Sequence, residues 1–269
     1  MFADVVRDEK RVWTRILLAG EQRYMQQRIE KSACFAMTGV ETLWFRDDAM
    51  RAADTFNANL DVLQSGNGDL DLPAEDSPEV LERLEKTVQF WAKFEPAARQ
   101  VMNGDTHTIP VRQLMDWDAL FLAELQQTAE VIQAVHKQNL LARQSLASTI
   151  DVASRQQMLA TRMAKSYCYI ALDLRRAEMK SQLVADIEEY KRAMKAMEFG
   201  DFDLEVIDPP GLKALMAVSQ MNENWETLHE MFDTILQLPN LGTDQLMDVS
   251  NISVELSRLA GTMIDIYLN

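Results

Sequence analysis

The chain has 269 residues but only nine glycines and seven prolines. Both residue types interrupt helices, so their scarcity leaves room for long, unbroken ones. Cysteine occurs twice, at Cys34 and Cys168. Two cysteines so far apart suggest neither a disulfide framework nor a zinc or iron–sulfur site. Basic residues are outnumbered, 27 Lys and Arg against 42 Asp and Glu, for a net charge of −15. Such a surface repels the phosphates of nucleic acid and anionic lipid, so no nucleic-acid partner is expected. No apolar run approaches the ~18 residues of a spanning helix. The opening stretch, MFADVVRDEKRVWTRILLAGEQ, mixes charge into its first apolar run and has no signal-peptide core. The expectation is a cytoplasmic protein without membrane insertion, although a piece cut from a membrane receptor would look the same. No Ser-His-Asp set, P-loop or dinucleotide fingerprint can be assembled. His107, His136 and His229 are isolated, and DLDLPAED lacks the glycine turn and glutamate spacing of a calcium loop. The expectation is therefore no enzyme, no metal and no cofactor.

What is present is a repetition. Ala19–Cys34 reads AGEQRYMQQRIEKSAC and Ala153–Cys168 reads ASRQQMLATRMAKSYC. The offset is 134 (153 − 19) residues, with identities at Ala19/Ala153, Gln22/Gln156, Arg28/Arg162, Lys31/Lys165, Ser32/Ser166 and Cys34/Cys168. Chance at ordinary composition gives roughly one. The same offset carries Phe56 onto Tyr190, Gly66 onto Gly200, Asp69-Leu70 onto Asp203-Leu204, and Trp91 onto Trp225. QLMD at Gln113–Asp116 recurs at Gln245–Asp248 with the offset shortened to 132 (245 − 113), as a two-residue deletion in the second connecting loop would produce. The chain reads as a tandem duplication, with repeats over residues 1–135 and 136–269.

Each repeat has a helical plan. Apolar residues recur at helical spacing from about Val5 to Leu63, and Gly66-Asn67-Gly68 ends the stretch. Ser77-Pro78 reads as an N-cap and first helical residue of a second helix that runs to about Met102. A third begins after Pro110. From Val111 to Phe199 there is neither Gly nor Pro. Either one helix joins the repeats or it breaks near Ser145–Ser154, where serines weaken the signal. Two more helices, roughly Gly211–Leu236 and Thr243–Leu268, close the second repeat. No sustained alternation predicts a strand. The expected fold is all-α, as tandem antiparallel helical bundles.

The stretch Gly20–Lys31, GEQRYMQQRIEK, resembles the first-helix signature of the N-terminal sensory domains of NarX-like nitrate sensors and PilJ-type type IV pilus chemoreceptors. That signature is close to G-R-Q-R-M-L-S-Q-R-M-A-K. Gly20, Gln22, Arg23, Gln27, Arg28 and Lys31 fit it in the first repeat. Arg155, Gln156, Met158, Leu159, Arg162, Met163, Ala164 and Lys165 fit it in the second. The resemblance implies a helical bundle that senses a small ligand, nitrate in the nitrate sensors, with the arginine at the place of Arg23 meeting it. It also implies signalling by helix displacement or through a signalling protein partner. Ser154 and Gln157 depart from the signature, where it has glycine and arginine.

The chemistry of the motif agrees with a small anion such as nitrate or nitrite. The turn below Arg23 holds Ala19 and Gly20, both small, so the guanidinium could lie across an open spot with its planar fork exposed. Gln27 adds an amide donor one turn on. Arg28, Arg155, Gln157 and Arg162 complete the candidate ligand set. If the repeats face each other, Arg23 and Gln157 could share one pocket, with Arg155 as a second cation. If they stack end to end, a homodimer would bring two Arg23 side chains together, as in the family's sensors. Plainer readings stand beside these. Arg23 could pair with an acid on a neighbouring helix, and Arg28 and Arg162 could form a shared helix-to-helix salt bridge. Cys34 and Cys168 read first as small buried residues, with redox sensing second, and Trp91 and Trp225 as core anchors. The alternative to a sensor is a helical adaptor or scaffold whose pocket has decayed.

Overall fold

A computed structural model describes residues 2–104, 108–137, 144–238 and 245–268. Among these residues the protein is all-α and contains no strand. The first repeat holds α1 (Phe2–Met37), α2 (Thr42–Ser65), α3 (Pro78–Met102) and α4 (Thr108–His136). The second holds α5 (Gln144–Ala171), α6 (Arg176–Phe199), α7 (Gly211–Gln237) and α8 (Leu246–Leu268). Two isolated bridges, Asn67 to Leu72 and Asp201 to Val206, close equivalent turns after α2 and α6.

Local signals set most boundaries. The Ser77 side chain accepts from the Val80 amide and Pro78 opens α3, which satisfies donors that the first helical turn leaves unpaired. Gly66, at φ 77°, ends α2. The single stretch expected over Val5–Leu63 is two helices. The chain turns back after Met37 with Gly39 at φ 82° and Glu41 at φ 45°. The second repeat makes the same reversal after Ala171 without a glycine, placing Asp173 and Arg175 at φ 58° and 44°. Left-handed non-glycine residues are uncommon. The packing of α2 on α1 and of α6 on α5 imposes them here. The repeats are not joined by one helix, and the boundary precedes the serines. α4 ends at His136, and Ser145 to Ser154 lie inside α5.

α1 and α2 run antiparallel, since Arg15, Gln22 and Arg28 meet Leu63, Phe56 and Asp48 in reverse order. α5 and α6 do the same through Gln156 to Tyr190 and Arg162 to Asp186. α4 covers α1, and α8 covers α5. The centre of the molecule is the contact between α1 and α5. Here Gly20 lies against Ser154, its own counterpart, and Cys34 is disulfide-bonded to Cys168, again its own counterpart. Counterparts that touch at two levels place a local two-fold axis along the pair. The two motif helices therefore run parallel, side by side. A Cβ at Gly20 would come within 3.0 Å of Ser154 Oγ, so the glycine permits this approach.

Behind the seam, each repeat has an aromatic anchor. Trp91 stacks on Phe56 at 4.2 Å and Trp225 on Tyr190 at 4.5 Å. Both tryptophans are buried, as core anchors should be.

Candidate functional site

The six residues repeated in α1 and α5 are all in or near this seam. Gln22 Nε2 donates to the Phe56 carbonyl and Gln156 Nε2 to the Tyr190 carbonyl, at 3.1 and 3.3 Å. Each ties its motif helix to the residue that stacks on the tryptophan. Arg28 donates from Nε and Nη2 to both oxygens of Asp48, and Arg162 does the same to Asp186. These are the shared helix-to-helix salt bridges, in the planar fork geometry that suits arginine. Burial pushes the Asp48 carboxyl up, but the bonds and charge of Arg28 outweigh it and the pKa falls. At Asp186 burial dominates and the pKa rises.

Lys31 and Lys165 are both buried but differ in company. Lys165 Nζ donates to Asp118 on α4 and lies 3.6 Å from Glu30 on α1. Gln26 and Gln27 also donate to Asp118, at 3.1 and 2.7 Å, and Tyr169 donates to Glu30 at 3.4 Å. Burial pushes Asp118 up, yet Lys165 and the two amides bring it down to about 2. Glu30 rises well above the carboxylate range, because of burial and then the neighbouring Asp118. One ammonium between two acids thus leaves Asp118 ionised and favours a protonated Glu30. Burial lowers the Lys31 ammonium to about 8. The cysteines are neither free nor simply packed: they form the covalent link between the repeats.

Arg23 is buried beneath this seam. Its Nη1 donates to Gln126 Oε1 at 2.5 Å and its Nη2 to Asp151 Oδ1 at 2.7 Å, while its Nε has no partner. The plainer expectation for Arg23, an acid on a neighbouring helix, is the arrangement present. Arg155 Nε donates to the second oxygen of the same carboxylate, at 3.0 Å. Burial raises Asp151, but the charges of Arg23 and Arg155 more than offset it and its pKa falls. Outside lie two adjoining clefts of about 290 and 300 Å³ that share Arg155 and Glu189 as walls. One reaches Asp151 and the other reaches Asp118, Gln126 and Arg162.

The structure therefore brings Arg23, Gln27, Arg155 and Arg162 to one side of the seam, close to or on the walls of these clefts. Gly20 lies on the axis. Gln157 goes to the other side, donating to the Ser257 carbonyl of α8 at 3.1 Å. Arg28 also points away from the clefts, bonded to Asp48 of α2 and over the Tyr24 ring. Arg23 and Gln157 share no pocket. The acids that organise the site, Asp118, Asp151 and Glu30, were not among the sequence candidates. A signal existed for one of them. Asp118 continues the helical stripe of the buried Leu114, Phe121 and Leu125 and is itself only partly exposed, and a carboxylate on such a stripe implies a cation beside it.

His136 bonds Glu75 at 3.0 Å, and His229 packs on Trp225. His107 lies outside the described residues. Among the described residues no group of His, Cys, Asp and Glu has the arrangement of a metal site. No helix among them is long and apolar enough to cross a membrane.

The two repeats thus form one paired bundle whose sequence-matched helices meet along a two-fold axis. The chain matches the family described as type IV pili methyl-accepting chemotaxis transducer N-term, PilJ, twice, over residues 10–116 and 140–246. These spans cover most of the chain, and it belongs to that family. No curated protein matches it.

Proposed function

We propose that this protein is a non-enzymatic sensory module that recognises a small anion, nitrate or nitrite, at the Arg23–Arg155 pair and signals by a displacement between α1 and α5. One observation carries the reading: two arginines from the two motif helices converge on one carboxylate, Asp151, at the wall of an open cleft. A planar oxyanion that replaces Asp151 would take the same two donors. The unpartnered Arg23 Nε offers a further one. Since α1 holds Arg23 and α5 holds Arg155, exchange of the internal carboxylate for a free anion changes the force between the repeats. The output passes to a signalling protein partner. The chain carries both motif helices, so no homodimer is needed to bring them together. The disulfide favours an oxidising compartment over the cytoplasm that the sequence suggested.

Calorimetry with nitrate and nitrite tests the reading. The unmutated protein should bind one of them. Arg23→Ala should lose at least about tenfold in affinity, as expected for a charged donor, and Asp151→Asn should gain affinity because the internal competitor loses its charge. Gln157→Ala should have less effect than Arg23→Ala. Absence of binding by both the unmutated protein and Asp151→Asn would defeat the proposal. A second reading has its own support in the same contact. If Asp151 fills the arginine fork permanently, the module is a helical adaptor, and the unmutated protein binds no anion.

A further inference from the structure

We propose that the turn between α6 and α7 is a docking slot for a partner segment that presents an arginine between apolar side chains. This surface is independent of the Arg23–Arg155 pair. The first repeat supplies its internal template. There the turn after α2 receives the Arg11 side chain from α1. Arg11 Nε donates to the Asp71 carbonyl at 2.7 Å and Nη2 to the Asp71 carboxylate at 2.8 Å.

Among the described residues the second repeat keeps the receptor and places no guanidinium in it. Its turn has the same backbone. Asp201 and Val206 exchange hydrogen bonds at 2.9 and 2.8 Å, as Asn67 and Leu72 do at 2.7 and 2.9 Å. Glu205, the counterpart of Asp71, has φ 53° against 52°. Its amide bonds the Phe202 carbonyl as that of Asp71 bonds Gly68. The counterpart of Arg11 is Ser145, whose side chain is too short to reach across. The space is a cleft of about 520 Å³ lined by Ser145, Asp201, Phe202, Asp203, Glu205 and Ile207, with Val206. The turn is held from both sides, because Thr149 accepts from the Ile207 amide and Tyr267 donates to the Ile207 carbonyl. Ser148 Oγ donates to Glu205 Oε2 at 2.9 Å, which fixes the carboxylate at the mouth of the cleft.

Apolar residues at the cleft and on either side of the turn in sequence argue that the occupant belongs to a larger partner. Phe202 is 96% exposed and Phe199 66%, and Leu212 follows at 72% in the same stretch. Their counterparts in the first repeat are Gly68, Ser65 and Pro78. Large side chains have thus been placed on the surface in the repeat whose slot lacks its guanidinium. Exposed apolar groups beside acids match a segment with a cation flanked by apolar residues.

The probe is an acetylated, amidated tripeptide of leucine, arginine and leucine, titrated into the full chain and followed by amide NMR. Saturable shifts are expected at Phe202 and Glu205. A tripeptide with citrulline, the uncharged isostere, should bind at least fivefold more weakly. Ser145→Arg should abolish the shifts by filling the slot from within, with the fold checked by far-UV circular dichroism. Glu205→Gln should weaken binding severalfold and decides the matter if Ser145→Arg fails to fold. No shifts at this turn, equal binding of the citrulline peptide, or unchanged binding in the folded variant would overturn the proposal.

Discussion

The first and second repeats use the same helix for different electrostatic ends. In α5, Lys165 is held by Asp118 and Glu30. In α1, the same lysine feels Asp48 but has no counterpart of either acid, because the counterpart of Glu30 is Ala164 and that of Asp118 is Ser250. The arginine pairs show a subtler change. Asp48 aligns with Gln182, and Asp186 aligns with Ala52. The acid has moved one helical turn along its helix, yet both arginines keep a bidentate partner. What the duplication preserved is the cation on the motif helix. What it allowed to drift is the position from which the counter-charge comes.

The largest effect is expected where the comparison is covalent. Replacing Cys34 and Cys168 with alanine releases a loop whose ends are 134 residues apart. The chain-entropy account gives a loss of about 4–5 kcal/mol. Urea denaturation should show it, and no thiol should titrate in unmutated, denatured protein until reductant is added. Unchanged stability would mean that the seam alone holds the repeats together.

The two lysines should then part company. Lys165→Ala leaves the buried Glu30 and the partly exposed Asp118 without their cation, and removal of one partner of a buried pair costs about 3–5 kcal/mol. Lys31→Met removes a buried ammonium lacking the two acids that hold Lys165 and should cost less than about 1 kcal/mol or stabilise the protein. Equal losses in the two variants would show that the seam does not distinguish them.

The acid's drift can be replayed. Asp186→Ala should cost about 2–3 kcal/mol, since Arg162 keeps only Glu189, at 3.6 Å. Adding Gln182→Asp restores an acid at the first repeat's position and should recover more than half of the loss. No recovery would mean that the register of α6 on α5 differs from that of α2 on α1.

Lys31 also predicts a pH dependence. Lys31 has a folded pKa of about 8, below its ordinary 10.5. Below pH 8 the group is protonated in both states and burial of its charge destabilises the fold. Between about pH 8 and 10.5 the unfolded chain binds more protons, so stability rises with pH. Thermal melts across this window should lose that rise in Lys31→Met while keeping every other slope.

Much of this architecture could be read from particular residues. Helical spacing is a local property, set by contacts three and four residues apart, so Ser77-Pro78, Gly66 and the apolar stripes placed α3 and the end of α2 directly. The 134-residue offset revealed the duplication, and the dozen motif residues revealed the family. The reversals after Met37 and Ala171 were missed because Gly39 is the only local hint in one and no such hint exists in the other. The candidate site was half legible. The cations Arg23, Arg28, Arg155 and Arg162 stood out, and the acids that bind them did not.

The sequence by itself thus determined the helices, their duplication and the cations carried by each copy. Only the tertiary structure decided that α1 and α5 run parallel along a two-fold axis. That one arrangement turned two distant cysteines into a bond and gave Arg23 a carboxylate from the other repeat. It also sent Gln157 to the opposite side. The physical reason is range: a helix is specified by its neighbours in sequence, whereas the partner of a buried charge is specified by which faces pack together, and those faces come from helices more than a hundred residues apart.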